Sequence, residues 1–159
     1  MRLFVALNLP PALREAAWQA AGPLRAAIGS GVAWVAEPAL HVTLRFLGER
    51  PEALVPPLAD ALAAAAARLE PPRLDLGGIG AFPGLRRPNV LWLGVVPNSA
   101  LAALYHAVDR ACTALGVEPE PRPFHPHVTL GRFRRGGGGS VGPAAIQRPA
   151  DAVVFRDAF

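Results

Sequence analysis

The chain has 159 residues, 52% of them hydrophobic, enough for one compact domain with its own core and too few for two independent catalytic domains. Its net charge is +4 and all 16 basic residues are arginines, whose planar, permanently charged fork suits phosphate. No run approaches the roughly 18 to 20 continuous apolar residues of a membrane span, no cleavable leader is legible at the N-terminus, and the single cysteine excludes an intrachain disulfide. The expectation is a soluble, cytoplasmic monomer that does not engage a membrane.

Taken in chain order, Arg2 to Leu9 is an apolar run stopped by Pro10-Pro11 and reads as a strand. Leu13, Ala17, Ala20, Leu24 and Ile28 then recur at helical spacing. Val32 to Val35 and Leu40 to Leu47 read as two strands, and Leu54, Leu58, Leu62 and Leu69 mark a second helix opened at Pro51. Leu74 to Ile79 and Val90 to Val95 are two further strands, joined by the Gly/Pro/Arg-rich segment Gly80 to Asn89. Asn98 or Ser99 caps a third helix whose apolar stripe holds Cys112 and stops at Gly116. The last strong strand is His127 to Phe133. Beyond it the sequence predicts a Gly136 to Ser140 loop, a short helix near Ala144 to Gln147 and a terminal strand over Ala152 to Phe155. Clustered strands without regular βαβ alternation predict an α+β fold with antiparallel pairing, one domain over 1–159 built from two similar halves.

Each half carries one copy of His-x-Thr-Leu, His41 to Leu44 and His127 to Leu130. In an extended strand residues i and i+2 share a face, so His41 with Thr43, and His127 with Thr129, present an imidazole and a hydroxyl together. If the halves pack about a pseudo-twofold axis, two imidazoles and two hydroxyls meet in one cleft. Opening a phosphodiester needs a base for the attacking oxygen, an acid for the departing one, and donors for the phosphoryl oxygens. Two histidines with ordinary pKa values near ~6.5 can fill the first two roles at neutral pH without a metal, and the threonines the third. With only four histidines in the chain, the duplication is the strongest functional signal in the sequence.

The paired motifs make the chain similar to the 2H phosphoesterase superfamily. The blocks Arg2 to Pro10, His41 to Glu49, Val90 to Val95 and Phe124 to Arg132 resemble, more narrowly, the RNA 2',3'-cyclic phosphodiesterase (2'-5' RNA ligase) family. The resemblance implies a bilobed fold with antiparallel sheet inside, helices outside and a central cleft. It implies hydrolysis of RNA 2',3'-cyclic phosphate ends to 2'-phosphates without metal or other cofactor, and a reverse, ligating direction. It further implies His41 as general acid, His127 as general base, Thr43 and Thr129 as phosphate donors, and Arg132 as a phosphate contact. Strict alternation puts Arg132 on the opposite face from His127, so that contact requires the strand to end or bulge at Gly131. The family pattern continues past the strand at Ala152 to Phe155 into a closing strand, whereas the sequence here stops at Phe159: either this member does without that strand or the chain is shortened.

Two other readings stay open at this level. His125 and His127 have a spacing that could chelate a metal for a metal-dependent phosphoesterase, although no Cys or carboxylate cluster stands near them in the sequence. A non-catalytic RNA or nucleotide binding module could use Arg45, Arg86, Arg87, Arg134 and Arg135 on a phosphate backbone, with Trp34 or Phe124 stacking on a base. Packing is the simpler role for Trp34 and Trp92, and His106 falls outside both motifs on the third helix.

Overall fold

Proline placement decides where the helices of this chain begin and break. In the computed structural model, which describes residues 1–135 and 156–157, strand β1 (Arg2–Asn8) runs into helix α1 (Pro11–Ala20), with Pro11 at its first position. The expected continuous helix to Ile28 is split, and α2 (Gly22–Ile28) starts afresh. Pro23 has no N–H to donate to the carbonyl four residues back, so the ladder cannot pass it. The Arg25 guanidinium compensates locally, donating to the Trp18 carbonyl at 2.8 Å and lying over the Trp18 ring. Strands β2 (Val32–Trp34) and β3 (His41–Glu49) follow, then α3 (Val55–Ala66), which ends before the expected Leu69. Strand β4 (Leu74–Phe82) precedes β5 (Val90–Val95) and α4 (Ser99–Ala114), where Asn98 is the cap, its side-chain oxygen accepting from the Leu101 N–H at 2.9 Å. Strand β6 (His127–Phe133) and a two-residue strand β7 (Arg156–Asp157) complete the described elements. The predicted Gly136 to Ser140 loop, the helix near Ala144 to Gln147 and the strand over Ala152 to Phe155 lie outside the described residues.

The strands form one antiparallel path, β1-β3-β6-β5-β4-β7, with β2 also on β6. The α+β class and antiparallel pairing agree with the sequence reading. The two motif strands are neighbours, but β3 and β6 pair only through Val42 and Val128, so β1–β3 and β5–β6 meet at a narrow seam. Val42 and Val128 are both fully buried, as are Leu91, Leu93, Leu13 and Leu24, each removing an aliphatic side chain from water at a gain of about 1.5–3 kcal/mol. Cys112 is buried in the same core. Strand β4 extends past the expected Ile79 to Phe82. Gly80 explains this: a Cβ there would stand 2.3 Å from the Trp92 ring, so only glycine lets β4 run beside that indole. Among the described residues no helix is long and apolar enough to cross a membrane.

Candidate active site

Antiparallel register converts the two sequence motifs into one constellation. With Val42 opposite Val128, His41 comes to stand opposite Thr129, and Thr43 opposite His127, on either side of the seam. All four side chains are half-buried on the face away from the core valines. Both histidines are held the same way: His41 Nδ1 is 2.7 Å from the Ala39 carbonyl oxygen, and His127 Nδ1 is 2.6 Å from that of His125. A carbonyl only accepts, so each Nδ1 carries its hydrogen and donates it. The free position on each ring is therefore Nε2.

The rings differ in their surroundings. Phe4 of β1 stacks on His41 with centroids 5.2 Å apart and planes 24° from parallel. His127 instead forms a T-shaped pair with Phe82, centroids 5.0 Å apart, and lies 6.2 Å from Trp92 and 5.9 Å from His125. Burial pushes the His127 imidazole below the ordinary histidine range. Its hydrogen bond to the His125 carbonyl opposes this, and the positive charges of His125, Arg132 and His41 add to the depression. A cavity of about 470 Å³ opens beside this half of the seam, with Thr43, His127, His125, Phe46 and Phe82 in its wall. His41 and Thr129 stand on the other side of the Val42–Val128 pair.

A bulge after each motif decides which later residues join this face. On β6, Leu91 pairs with Gly131 and Trp92 with Thr129, so Leu130 is the extra residue; on β3, Val5 pairs with Arg45 and Ala6 with Thr43, so Leu44 is. Both bulges fall on the fourth residue of the motif. Alternation reverses there: Leu130 and Gly131 are both buried and Arg132 is exposed, while Leu44 and Arg45 are both buried and Phe46 is exposed. The irregularity that the sequence put at Gly131 lies one residue earlier, at Leu130, and Gly131 itself is paired with Leu91. A Cβ on Gly131 would sit 2.4 Å from Val32 Cγ1 and 3.0 Å from the Ala33 carbonyl oxygen, which leaves room there for glycine alone.

The arginine that follows each motif is therefore not the same arginine twice. Structurally Arg45 corresponds to Gly131, and Phe46 corresponds to Arg132. Arg45 is 4% exposed; its Nε lies 2.9 Å from Asp109 Oδ1, its Nη1 3.3 Å from Glu120 Oε2, and its Nη2 meets the Glu118 carbonyl. It is an internal tie between β3, α4 and the segment leading to His127, which corrects its reading as a phosphate-backbone contact. Of the other arginines in that reading, Arg86 and Arg87 are exposed in the β4–β5 connector and Arg134 donates to the Ser30 carbonyl at 3.1 Å, while Arg135 is exposed after β6. Trp34 donates to the Gly29 carbonyl at 2.9 Å and packs on Gly131, a structural role. Phe124 stacks on Tyr105 at 4.3 Å with rings nearly parallel, so one of its faces is already taken. His125 is exposed at the cleft beside His127, and His106 is exposed on α4. Among the described residues no group of three or more His, Cys, Asp or Glu side chains converges on one point.

Sequence reasoning did not single out Phe4, Phe46 or Phe82 for this site. Phe46 is 54% exposed, yet strict alternation from His41 puts it on the core side, and only the bulge at Leu44 brings it out, so no signal in the sequence could have found it.

A profile of the 2'-5' RNA ligase superfamily matches residues 10–138. An RNA 2',3'-cyclic phosphodiesterase of Geobacillus stearothermophilus is 39% identical over 122 residues, covering 77% of this chain and 39% of the relative; one of Aeropyrum pernix is 42% identical over 95 residues, covering 59% and 53%. The chain thus spans roughly 40 to 50% of the length of these two relatives. It covers 74% of the Archaeoglobus fulgidus RNA 2',3'-cyclic phosphodiesterase, with 33% identity over 135 residues. Among solved structures, TT0787 of Thermus thermophilus superposes with a TM-score of 0.71 at 36% identity, covering 84% of this chain and 74% of that one. LigT of E. coli complexed with 3'-AMP gives 0.61 at 34% identity, covering 82% and 72%.

Proposed function

Because the chain belongs to the 2'-5' RNA ligase superfamily, we propose that it is an RNA 2',3'-cyclic phosphodiesterase that opens cyclic phosphate ends to 2'-phosphates by two-histidine acid–base catalysis without metal. The observation that carries this reading is the pair of His/Thr couples across the Val42–Val128 seam, each imidazole pinned through Nδ1 and open at Nε2. His127 is the base. Its depressed pKa keeps it neutral at physiological pH, so Nε2 takes the proton of a water molecule as that oxygen attacks phosphorus. The bond from phosphorus to O3' breaks, and His41, as its imidazolium, gives its Nε2 proton to the leaving O3'. Thr43 and Thr129 donate to the non-bridging oxygens, and the Arg132 guanidinium offsets the charge that builds on them. The terminal base lies against the exposed ring of Phe46. With the 5'-hydroxyl of a second RNA in place of water, the same transfers, His127 taking its proton and His41 protonating O3' as the P–O3' bond breaks, give a 2'-5' phosphodiester; the histidines exchange roles when the 3'-hydroxyl cleaves that linkage.

The substrate in this reading is RNA or a nucleotide ending in a 2',3'-cyclic phosphate, and the site works within a single copy of the chain, in the cytoplasm. The test is turnover of a nucleoside 2',3'-cyclic phosphate in excess EDTA, with the product identified. Hydrolysis to the 2'-phosphate is expected. Activity that is lost to chelation and restored by a divalent ion, or release of the 3'-phosphate, would overturn the mechanism.

A further inference from the structure

A second cavity of about 470 Å³ lies against α4 and adjoins the one beside His127. The two share the stacked Tyr105–Phe124 pair and Arg122, so they are neighbouring compartments of one cleft and not separate surface dents. We infer that the second compartment is a subsite for the nucleoside immediately upstream of the cyclic-phosphate end. The site then favours an oligonucleotide terminus over a mononucleotide. This inference rests on the function proposed above.

The lining argues for a base and ribose here, and against a phosphate. Leu101, Ala102 and Pro126 supply an apolar floor, Tyr105 and Phe124 an aromatic wall, and the exposed His106 a polar rim. A planar heterocycle fits such a volume and such walls. Asp109 lines this compartment and not the one beside His127, and a carboxylate repels a phosphate while accepting from base or ribose donors; Glu120 lines both and is neutralised by Arg122 and Arg45. The linking phosphodiester would cross where the two compartments join, and Arg122 stands there. Its Nε and Nη2 are held by Glu120 Oε1 and Oε2 at 2.8 and 3.2 Å, which orients the guanidinium and leaves Nη1 out of that pairing. Arg122 is thereby a preset donor for the bridge between two nucleosides.

The test compares a dinucleotide 2',3'-cyclic phosphate with the mononucleotide of the same terminal base. The dinucleotide should be preferred in kcat/KM by about tenfold or more, the worth of one well-stacked base. Ala102→Trp, on an exposed position of α4, fills the compartment and should bring that preference close to one while leaving mononucleotide turnover unchanged. Ala103→Trp, exposed on the same helix but outside this compartment, should alter neither. Equal turnover of both substrates by the unaltered protein, a preference that survives Ala102→Trp, or an equal effect of Ala103→Trp would overturn the inference. Calorimetric titration with the 2'-phosphate products separates the subsite from the chemistry. If neither substrate is hydrolysed, the proposed function fails, and the subsite then fails too if the dinucleotide product binds no more tightly than the mononucleotide product.

Discussion

Replacing Arg45 with methionine asks whether this arginine holds the protein together or holds the substrate. The side chain is 4% exposed and faces two carboxylates, Asp109 and Glu120, which are themselves only 25% and 17% exposed. Methionine keeps the aliphatic stem, so the loss is mainly electrostatic: two partly buried carboxylates lose their counter-charge and the Glu118 carbonyl loses a donor. Breaking a fully buried pair from one side costs about 3–5 kcal/mol, and the residual exposure of both acids discounts this to roughly 2–4 kcal/mol. For a chain of this length that corresponds to a Tm lower by roughly 5–15 °C. Urea unfolding followed by circular dichroism measures it. Adding Asp109→Asn and Glu120→Gln to Arg45→Met should recover part of the loss, because the orphaned charges are then gone. An Arg45→Met protein of unchanged stability whose only defect is a raised KM would refute the internal tie and restore Arg45 as a substrate contact.

The histidines and the bulge give four further expectations. His41→Ala and His127→Ala should each lower kcat by about 10² to 10⁴-fold with folding intact, measured by single-turnover hydrolysis; full activity in both would end the two-histidine reading. The acid limb of kcat/KM against pH should fall below the ordinary histidine range, since burial and the neighbouring cations His125, Arg132 and His41 favour neutral His127. For stability the sign follows from the same depression: the unfolded chain binds the His127 proton more readily, so its contribution is complete above about pH 6.5 and is lost as pH falls through the lower folded value. A His127→Gln protein, titrated in urea at pH 5 and 7.5, should therefore show the smaller drop in stability on acidification. Gly131→Ala should cost about 1–3 kcal/mol, because the new Cβ meets Val32 and the Ala33 carbonyl, and should reduce kcat by displacing Arg132 and Thr129. Unchanged unfolding of this variant would show that the bulge has slack the contacts do not suggest.

Much of this site was legible in the chain because strand parity is a local property. His41 with Thr43, and His127 with Thr129, share a face whatever the rest of the fold does, and β5 and β6 span the residues their apolar runs predict. The helix break at Pro23 was also open to local reasoning, since a missing N–H needs no tertiary partner, yet periodicity across Leu13 to Ile28 masked it. The extension of β4 to Phe82 was not open to it, for Gly80 reads as a breaker until the Trp92 ring is seen beside it. Arg45 and Arg132 posed the same difficulty. Each trails a motif by a similar distance, and only the bulges show that one points into the protein and the other out.

By itself, then, the sequence determined the chemical inventory: two imidazoles and two hydroxyls on extended strands, an arginine-only basic set, and the α+β class. The tertiary structure decided how that inventory is arranged. The single Val42–Val128 pairing sets His41 across from Thr129 and His127 across from Thr43; the bulges turn Arg132 and Phe46 outward and Arg45 into the interior; burial depresses one imidazole's pKa. The division has one physical cause. Side-chain direction along a strand is fixed by neighbours in sequence, whereas register, bulges and desolvation depend on which distant strand packs alongside.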